Sequence, residues 1–181
     1  MNHISLSTTR LQLRPVEDSD LQAIHLLHSL PESVRYNTLG IPRSAEETRM
    51  ILADWIKERW KKKPENYVFA LELKEDASFL GLIALKLNAE KYKSGEMWYK
   101  LYPTNWGKGY ATEAVKEVIQ FGFQNLQLHR LEAGCAVENK ASVRVMEKAG
   151  MTLEGRKRAL LPLENGWNDC FDYAILSIDP A

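Results

Sequence analysis

The sequence predicts a mixed α/β fold of about seven strands and four helices, antiparallel early and with a β-α-β crossover late. Three observations predict it. Residues 67–73, 79–87 and 96–101 form strand-sized runs of bulky apolar residues with short polar turns between them, the pattern of an antiparallel meander. The rhythm changes after Pro103. From Gly107 to about Asn125 the spacing puts Ala111, Ala114, Val115, Val118, Ile119 and Gly122 on one helical face, and residues 130–136 follow as a strand. Finally, residues 152–161 and 170–178 read as strands joined around Asn165-Gly166, a strong turn dipeptide.

The remaining elements follow from caps and breakers. Residues 10–14 alternate polar and apolar as a half-buried strand does. Ser19-Asp20-Leu21-Gln22 reads as a capping box opening a helix to about Ser29, and Gly40 and Pro42 mark residues 35–43 as a loop. A second capping box, Ser44-Ala45-Glu46-Glu47, starts a helix to about Lys62, where Arg59-Trp60-Lys61-Lys62-Lys63 and Pro64 close it. Cations in a last turn complement the helix dipole, so this cluster reads as a solvated helix end, with contact to a partner as the alternative. A helix over 139–149 stops at Gly150.

Composition narrows the classes of function. The 181 residues suit one domain spanning 1–181, and 45% hydrophobic content is enough for a core and too high for disorder. Lys plus Arg and Asp plus Glu are each 24, so bulk electrostatics offers no strong attraction to nucleic acid or an anionic membrane. The longest greasy run, 79–85, is far short of a membrane span, and Met1-Asn2-His3-Ile4-Ser5 has no signal-peptide pattern. Cys135 and Cys170 form no CxxC, which fits reduced thiols in a cytoplasmic protein. The helical pair His25 and His28 lacks a third ligand, so no metal is expected.

The chemistry concentrates in Trp106-Gly107-Lys108-Gly109-Tyr110-Ala111-Thr112-Glu113-Ala114, between a strand and a helix. Free amides at a helix N-terminus, and glycines that let backbone approach a ligand, make an anion site suited to pyrophosphate. A turn that merely packs the helix on the sheet is the bland alternative. GxxxxGK[ST] is absent, and GxGxxG fails at Thr112. The loop also follows a meander rather than heading a parallel sheet, so a nicotinamide enzyme fits poorly, although Glu132 lies at a ribose-contact spacing.

These residues resemble the GCN5-related N-acetyltransferases, and among them the RimJ/RimL-type group. The family's [RQ]xxGx[GA] loop is matched by 106–111, with Trp106 for the usual Arg or Gln, and GYATEA continues it. Asn139-Lys140-Ala141-Ser142 with Glu147-Lys148-Ala149-Gly150-Met151 is similar to NxxS…EKxGF, with Met151 for Phe. Glu154-Gly155, Gly166-Trp167-Asn168-Asp169 and Tyr173 resemble the group's ending. The likeness runs from about Thr9 to Ile178.

The resemblance implies the acyltransferase fold and a V between the strand ending at Leu101 and the strand over 130–136. Acetyl-CoA, the implied cosubstrate, would lie there with its pantetheine on backbone near Leu101 and Tyr102. Its pyrophosphate would rest on Gly107, Lys108, Gly109, Tyr110, Ala111 and Thr112, with Trp106 contributing mainly backbone and Asn139 reaching the pantetheine. The implied reaction is attack of a primary amine, a protein N-terminus or a small molecule, on the thioester; a non-catalytic acyl-CoA-binding module is the alternative. Glu96 resembles the position of a general base, or is an exposed strand-end carboxylate. Ser142 matches the group's proposed acid, or is a helix-start hydroxyl on backbone. Leu161 stands where some members carry a Glu base and cannot replace it. Trp167 and Asp169 line the acceptor side or fix the hairpin, and Arg156, Lys157 and Arg158 meet an acidic substrate or solvate an edge. Cys135 reads as a packing thiol. A monomer or a homodimer is expected.

Overall fold

Alternation along the central strands builds two cores on opposite faces of one sheet. The structure is a computed structural model that describes residues 4–179, so most of the segment read for a leader, Met1-Asn2-His3, lies outside the described residues. The strands are β1 (Leu6–Ser7), β2 (Leu11–Pro15), β3 (Asn66–Leu73), β4 (Phe79–Leu87), β5 (Ser94–Leu101), β6 (Arg130–Ala136), β7 (Thr152–Leu163) and β8 (Gly166–Leu176). The helices are α1 (Leu21–Ser29), α2 (Pro31–Val34), α3 (Ala45–Glu58), α4 (Tyr110–Gln124) and α5 (Lys140–Lys148). The strands lie in the order β1-β2-β3-β4-β5-β6-β8-β7, and of these neighbours only β5 and β6 run parallel, joined through α4. Phe69, Leu71, Ile83, Leu85 and Met97 pack on one face with Val115, Val118 and Phe121 of α4. Val68, Ala70, Leu82 and Ala84 pack on the other with Leu21, Ile24 and Leu27 of α1 and Leu52 of α3. The period-two alternation of strand side chains produces both sets.

The expected class and order hold, with one more strand and one more helix than expected: the short β1 and the single turn α2. The box at Ser19 is not the one that forms. Glu17 and Asp20 make it instead, because buried Asp20 is drawn to Arg14, whose guanidinium also holds Glu72 at 2.7 Å. Ser44 does cap α3, its Oγ accepting from Glu47 N–H at 3.3 Å, but Glu47 reaches back to Arg43 N–H at 2.7 Å. That helix ends at Glu58 rather than Lys62. Its basic end is partly tied down: Arg59 donates to Val16 C=O, Lys61 pairs with Glu58, and Lys63 pairs with Glu90. The loop between β7 and β8 turns at Glu164-Asn165, so both strands reach nearer the tip than 161 and 170.

β5 positions the site, and β4 holds β5. Gly81 sits opposite Leu101, so close that a Cβ there would stand 2.2 Å from Lys100 O and 2.7 Å from Leu101 Cα. Gly81→Ala must push β4 and β5 apart, and overpacking of this kind costs about 1–3 kcal/mol. Urea denaturation should show a lowered midpoint with little change in slope.

Candidate functional site

The parallel pairing of β5 with β6 stops early. Ser94, Gly95 and Glu96 pair with Arg130, Leu131 and Glu132, and beyond them β6 pairs only with β8. Tyr102 N–H donates to Leu80 C=O at 3.0 Å, which fixes the parity of the β4–β5 ladder. By alternation, Met97, Tyr99 and Leu101 turn their backbone groups to the other edge, into the V. Leu101 therefore lies on the open edge. Tyr102 does not: its N–H is committed to β4, and its hydroxyl donates to Ala23 C=O of α1 at 2.6 Å. Trp106 contributes more than backbone, because its indole Nε1–H donates to Leu101 C=O at 2.9 Å.

At the wide end of the V stands the N-terminus of α4. Gly107 and Gly109 have φ of +74° and +83°, values that glycine adopts without a steric penalty, and the helix begins at Tyr110 rather than Gly107. A Cβ on Gly107 would meet nothing within 4 Å, which leaves its backbone open to a ligand. Glu113 N–H makes the first helical bond, to Gly109 C=O at 3.0 Å. The amides of Tyr110, Ala111 and Thr112 precede it and are the orphan donors of the helix, aimed with the positive end of its dipole. These residues fit a pyrophosphate.

Two residues to which the sequence reading gave no role hold this loop. Arg10, just before β2, donates to Lys108 C=O at 3.0 Å and to Glu113 Oε2 at 2.7 Å, and lies 4.6 Å over the Tyr110 ring. Glu113 also accepts from Thr8 Oγ1 at 2.5 Å. Burial works against the Glu113 charge, but these bonds outweigh it and hold the carboxyl below its usual range. A carboxylate at an anion site would repel phosphate, and Arg10 neutralises it. Residues 103 positions apart carry no periodic signal of their contact.

Across the V from β5, Asn139 caps α5, its Oδ1 accepting from Ser142 N–H at 3.1 Å. Ser142 Oγ does not bond local backbone. It lies 2.6 Å from Tyr99 Oη, bridging α5 to β5. Burial outweighs the Ser142 bond and raises the Tyr99 phenol, so it stays protonated. Burial also lifts the Cys135 thiol to about 11 despite a bond with Ser142, as suits a packing thiol. Tyr99 went unnoticed in the sequence, where an aromatic in a strand reads as core.

Glu96, Trp98 and Lys100 alternate onto the opposite face of β5, where Trp98 packs beside Trp55 of α3, ring centroids 5.8 Å apart. Glu96 is exposed there, at the last paired position before the strands part. Lys100 and His28 of α1 are buried on this same face. A groove of about 620 Å³ opens between α2 with its following loop and the β7–β8 turn, lined among others by Glu32, Arg35, Glu138, Glu164 and Asn168. Trp167 and Asp169 do not line it. Trp167 is 70% exposed, and Asp169 pairs with Arg156 at 2.5 Å while accepting from Ala159 N–H at 2.8 Å, fixing the hairpin bulge. Lys157 is likewise paired, with Asp172. Among the described residues no group of three His, Cys, Asp or Glu is placed to hold a metal ion, and no helix is long and apolar enough to cross a membrane.

A sheet splayed between a parallel pair, with a glycine loop and helix N-terminus at its mouth, defines an acyl-carrier site of the acetyltransferase class. The comparisons with known proteins agree. Residues 10–152 match the model of the acetyltransferase (GNAT) domain, and the chain belongs to that family as an acetyl-CoA-dependent N-acetyltransferase. The uncharacterized N-acetyltransferase YnaD of Bacillus subtilis is 33% identical over 94% of this chain and 96% of its own. A GNAT-family acetyltransferase structure from Bacillus anthracis is 30% identical, with a TM-score of 0.84 over 97% of this chain and 100% of that one. The ribosomal L7/L12 α-N-protein acetyltransferase RimL, solved with coenzyme A, shares the fold at 20% identity, with a TM-score of 0.85 over 96% of this chain and 98% of that one.

Arg10→Ala should loosen the loop and leave Glu113 facing the phosphates. Acetyl-CoA binding by calorimetry should weaken about tenfold, equivalent to about 1.4 kcal/mol. His28 predicts the acid limb of stability. Burial foremost, then the charges of Lys100 and His25, lowers its pKa from 6.5 to about 4. The unfolded imidazole therefore takes a proton that the folded one refuses. Stability from this group is complete above pH 6.5 and is lost as pH falls toward 4, by up to about 3 kcal/mol. Urea denaturation across that window should show a steeper loss for the wild type than for His28→Phe.

Proposed function

We propose that the chain transfers an acetyl group from acetyl-CoA to a primary amine by direct attack in a ternary complex. The interrupted β5–β6 pairing carries the reading, with its orphan amides at one end and the Tyr99–Ser142 bond across it. The open edge of Met97, Tyr99 and Leu101 would pair with pantetheine amides, the backbone of residues 107–112 would hold the pyrophosphate, and Asn139 would keep its Nδ2 for the pantetheine arm. The thioester supplies the activated acetyl group. Placing both reactants in one cleft contributes much of the acceleration.

Two proton movements remain for this chain's residues. Glu96, exposed at the apex of the V on the acceptor face, takes the ammonium proton directly or through a water. On the other face the protonated Tyr99–Ser142 pair gives a proton to the departing thiolate, Ser142 passing it and Tyr99 holding it in place. Acid and base thus stand on opposite sides of the sheet, as the two ends of the reaction require. The acceptor, a protein N-terminus or a small-molecule amine, enters along the groove. Three carboxylates there, Glu32, Glu138 and Glu164, outnumber the single guanidinium of Arg35 and favour an ammonium.

Thiol release from acetyl-CoA over an amine panel tests the reading. Ser142→Ala, Tyr99→Phe and Glu96→Gln should each lower kcat by about 10- to 100-fold, and the Ser142/Tyr99 double variant should lose no more than the worse single. Acetyl-CoA affinity should stay within about twofold, since none of these side chains contributes uniform binding. Equal losses in affinity and turnover, or no loss in either, would remove the proton-transfer roles.

A further inference from the structure

The acceptor face hides two nitrogens that nothing satisfies. Lys100 is 6% exposed and His28 is 1% exposed, and both Lys100 Nζ and His28 Nδ1 are buried with no hydrogen-bond partner among the described residues. Lys100 comes from the splayed segment of β5, one residue before Leu101, and His28 from α1, which packs on that face of the sheet. The two are close enough for the Lys100 charge to act on His28, where His25 is the other charge felt. Burial alone acts on Lys100, and no carboxylate offsets it. His28 stands edge-on to Trp55 with centroids 6.2 Å apart, and Trp55 leans on Trp98, so the neighbourhood is aromatic and dry.

An ammonium in such surroundings is expensive, and a buried ion is ordinarily paired. Charged groups elsewhere in the chain do find partners, as Arg14 with Asp20 and Arg10 with Glu113 show. Here two nitrogens stand buried with no acceptor offered to either. We infer that Lys100 and His28 form a subsite for an oxyanion carried by the acceptor, so that the amine acetylated also bears a carboxylate or a phosphate close to its nitrogen. The inference rests on the transfer reaction proposed above and narrows its substrate. Lys100 has a four-carbon stem and nothing holding Nζ, so it can turn toward the cleft when an oxyanion arrives. His28 is kept neutral by burial foremost and then by the neighbouring cation, and offers a ring nitrogen without adding a second charge. The acidic groove leads the ammonium end in, and the cationic subsite receives the other end.

The test measures kcat/KM by thiol release for glycine, β-alanine and phosphoethanolamine against n-propylamine. In the wild type at least one oxyanion-bearing amine should exceed n-propylamine by about tenfold or more, as expected when a buried charged group is left unpaired by the wrong substrate. The carboxylate and phosphate members of the panel separate the two sources of oxyanion. Lys100→Met should bring that ratio close to one, and Lys100→Arg should restore part of it. A wild-type ratio near one, or a ratio that survives Lys100→Met, overturns the inference while leaving amine acetylation intact. If no amine in the panel is acetylated, the proposed reaction fails on its own. The subsite is then judged by thermal shift with acetate and with inorganic phosphate in the presence of coenzyme A. A shift in the wild type that Lys100→Met abolishes supports the subsite, and no shift overturns it. Folding is checked separately. Burial lowers the Lys100 pKa from 10.5 to about 8, so the unfolded chain binds the extra proton between those values, and wild-type stability should rise with pH there. Lys100→Met should be flat across that window and more stable than the wild type at pH 7.

Discussion

Everything at the site depends on a ladder that stops. β5 and β6 begin as ordinary parallel neighbours and part after Glu96 and Glu132, leaving two backbone edges facing each other inside a sheet. Unpaired backbone within a structure is costly unless water or a ligand completes it, so the gap offers donors and acceptors to whatever enters it. The flanking elements keep it open. Gly81 lets β4 lie close enough to hold β5 in line, the Trp106 indole occupies the last β5 carbonyl, and the Tyr99–Ser142 bond spans the opening without closing it. Each binds β5 or its far bank to something other than β6.

The two faces of β5 divide the labour. On the α4 and α5 face a neutral hydroxyl pair sits among apolar side chains, where burial keeps the phenol protonated. On the α1 and α3 face the chain keeps charged groups, an exposed carboxylate at the apex and a buried ammonium farther along the strand. One residue of register would exchange these sets, so the alternation that builds the two cores also sorts these groups onto their faces.

The sequence disclosed the elements whose signal is local. β4 and β6 have the expected bounds because their apolar runs end at clear turn residues, and the start of α5 follows from an Asn that does cap it. Where a distant partner decided the outcome, local reading missed. The capping box moved from Ser19 to Glu17 because Arg14 claims Asp20, and α4 starts at Tyr110 because its glycines take left-handed conformations. The glycine loop was legible as a motif, but its brace by Arg10 was not. Tyr99, Lys100 and His28 look like ordinary core or surface residues until the sheet sets them opposite α5 and α1. Asp169 shows the reverse case, a motif residue that fixes the hairpin bulge, while Trp167 stands exposed and Asn168 between them lines the groove.

The brace by Arg10 also bears on the order in which the protein becomes competent. The glycine loop and α4 can form from neighbouring residues alone, yet the loop is anchored by a contact spanning 103 residues. Contacts of such sequence separation close late, since chain entropy must be lost before they reward it. A chain growing from its amino end therefore presents the phosphate loop's sequence well before that loop is rigid, and the rigid form arrives only when the first strands have docked against α4. The rigid loop is in this sense a property of the closed sheet, reporting that the beginning and the middle of the chain have met.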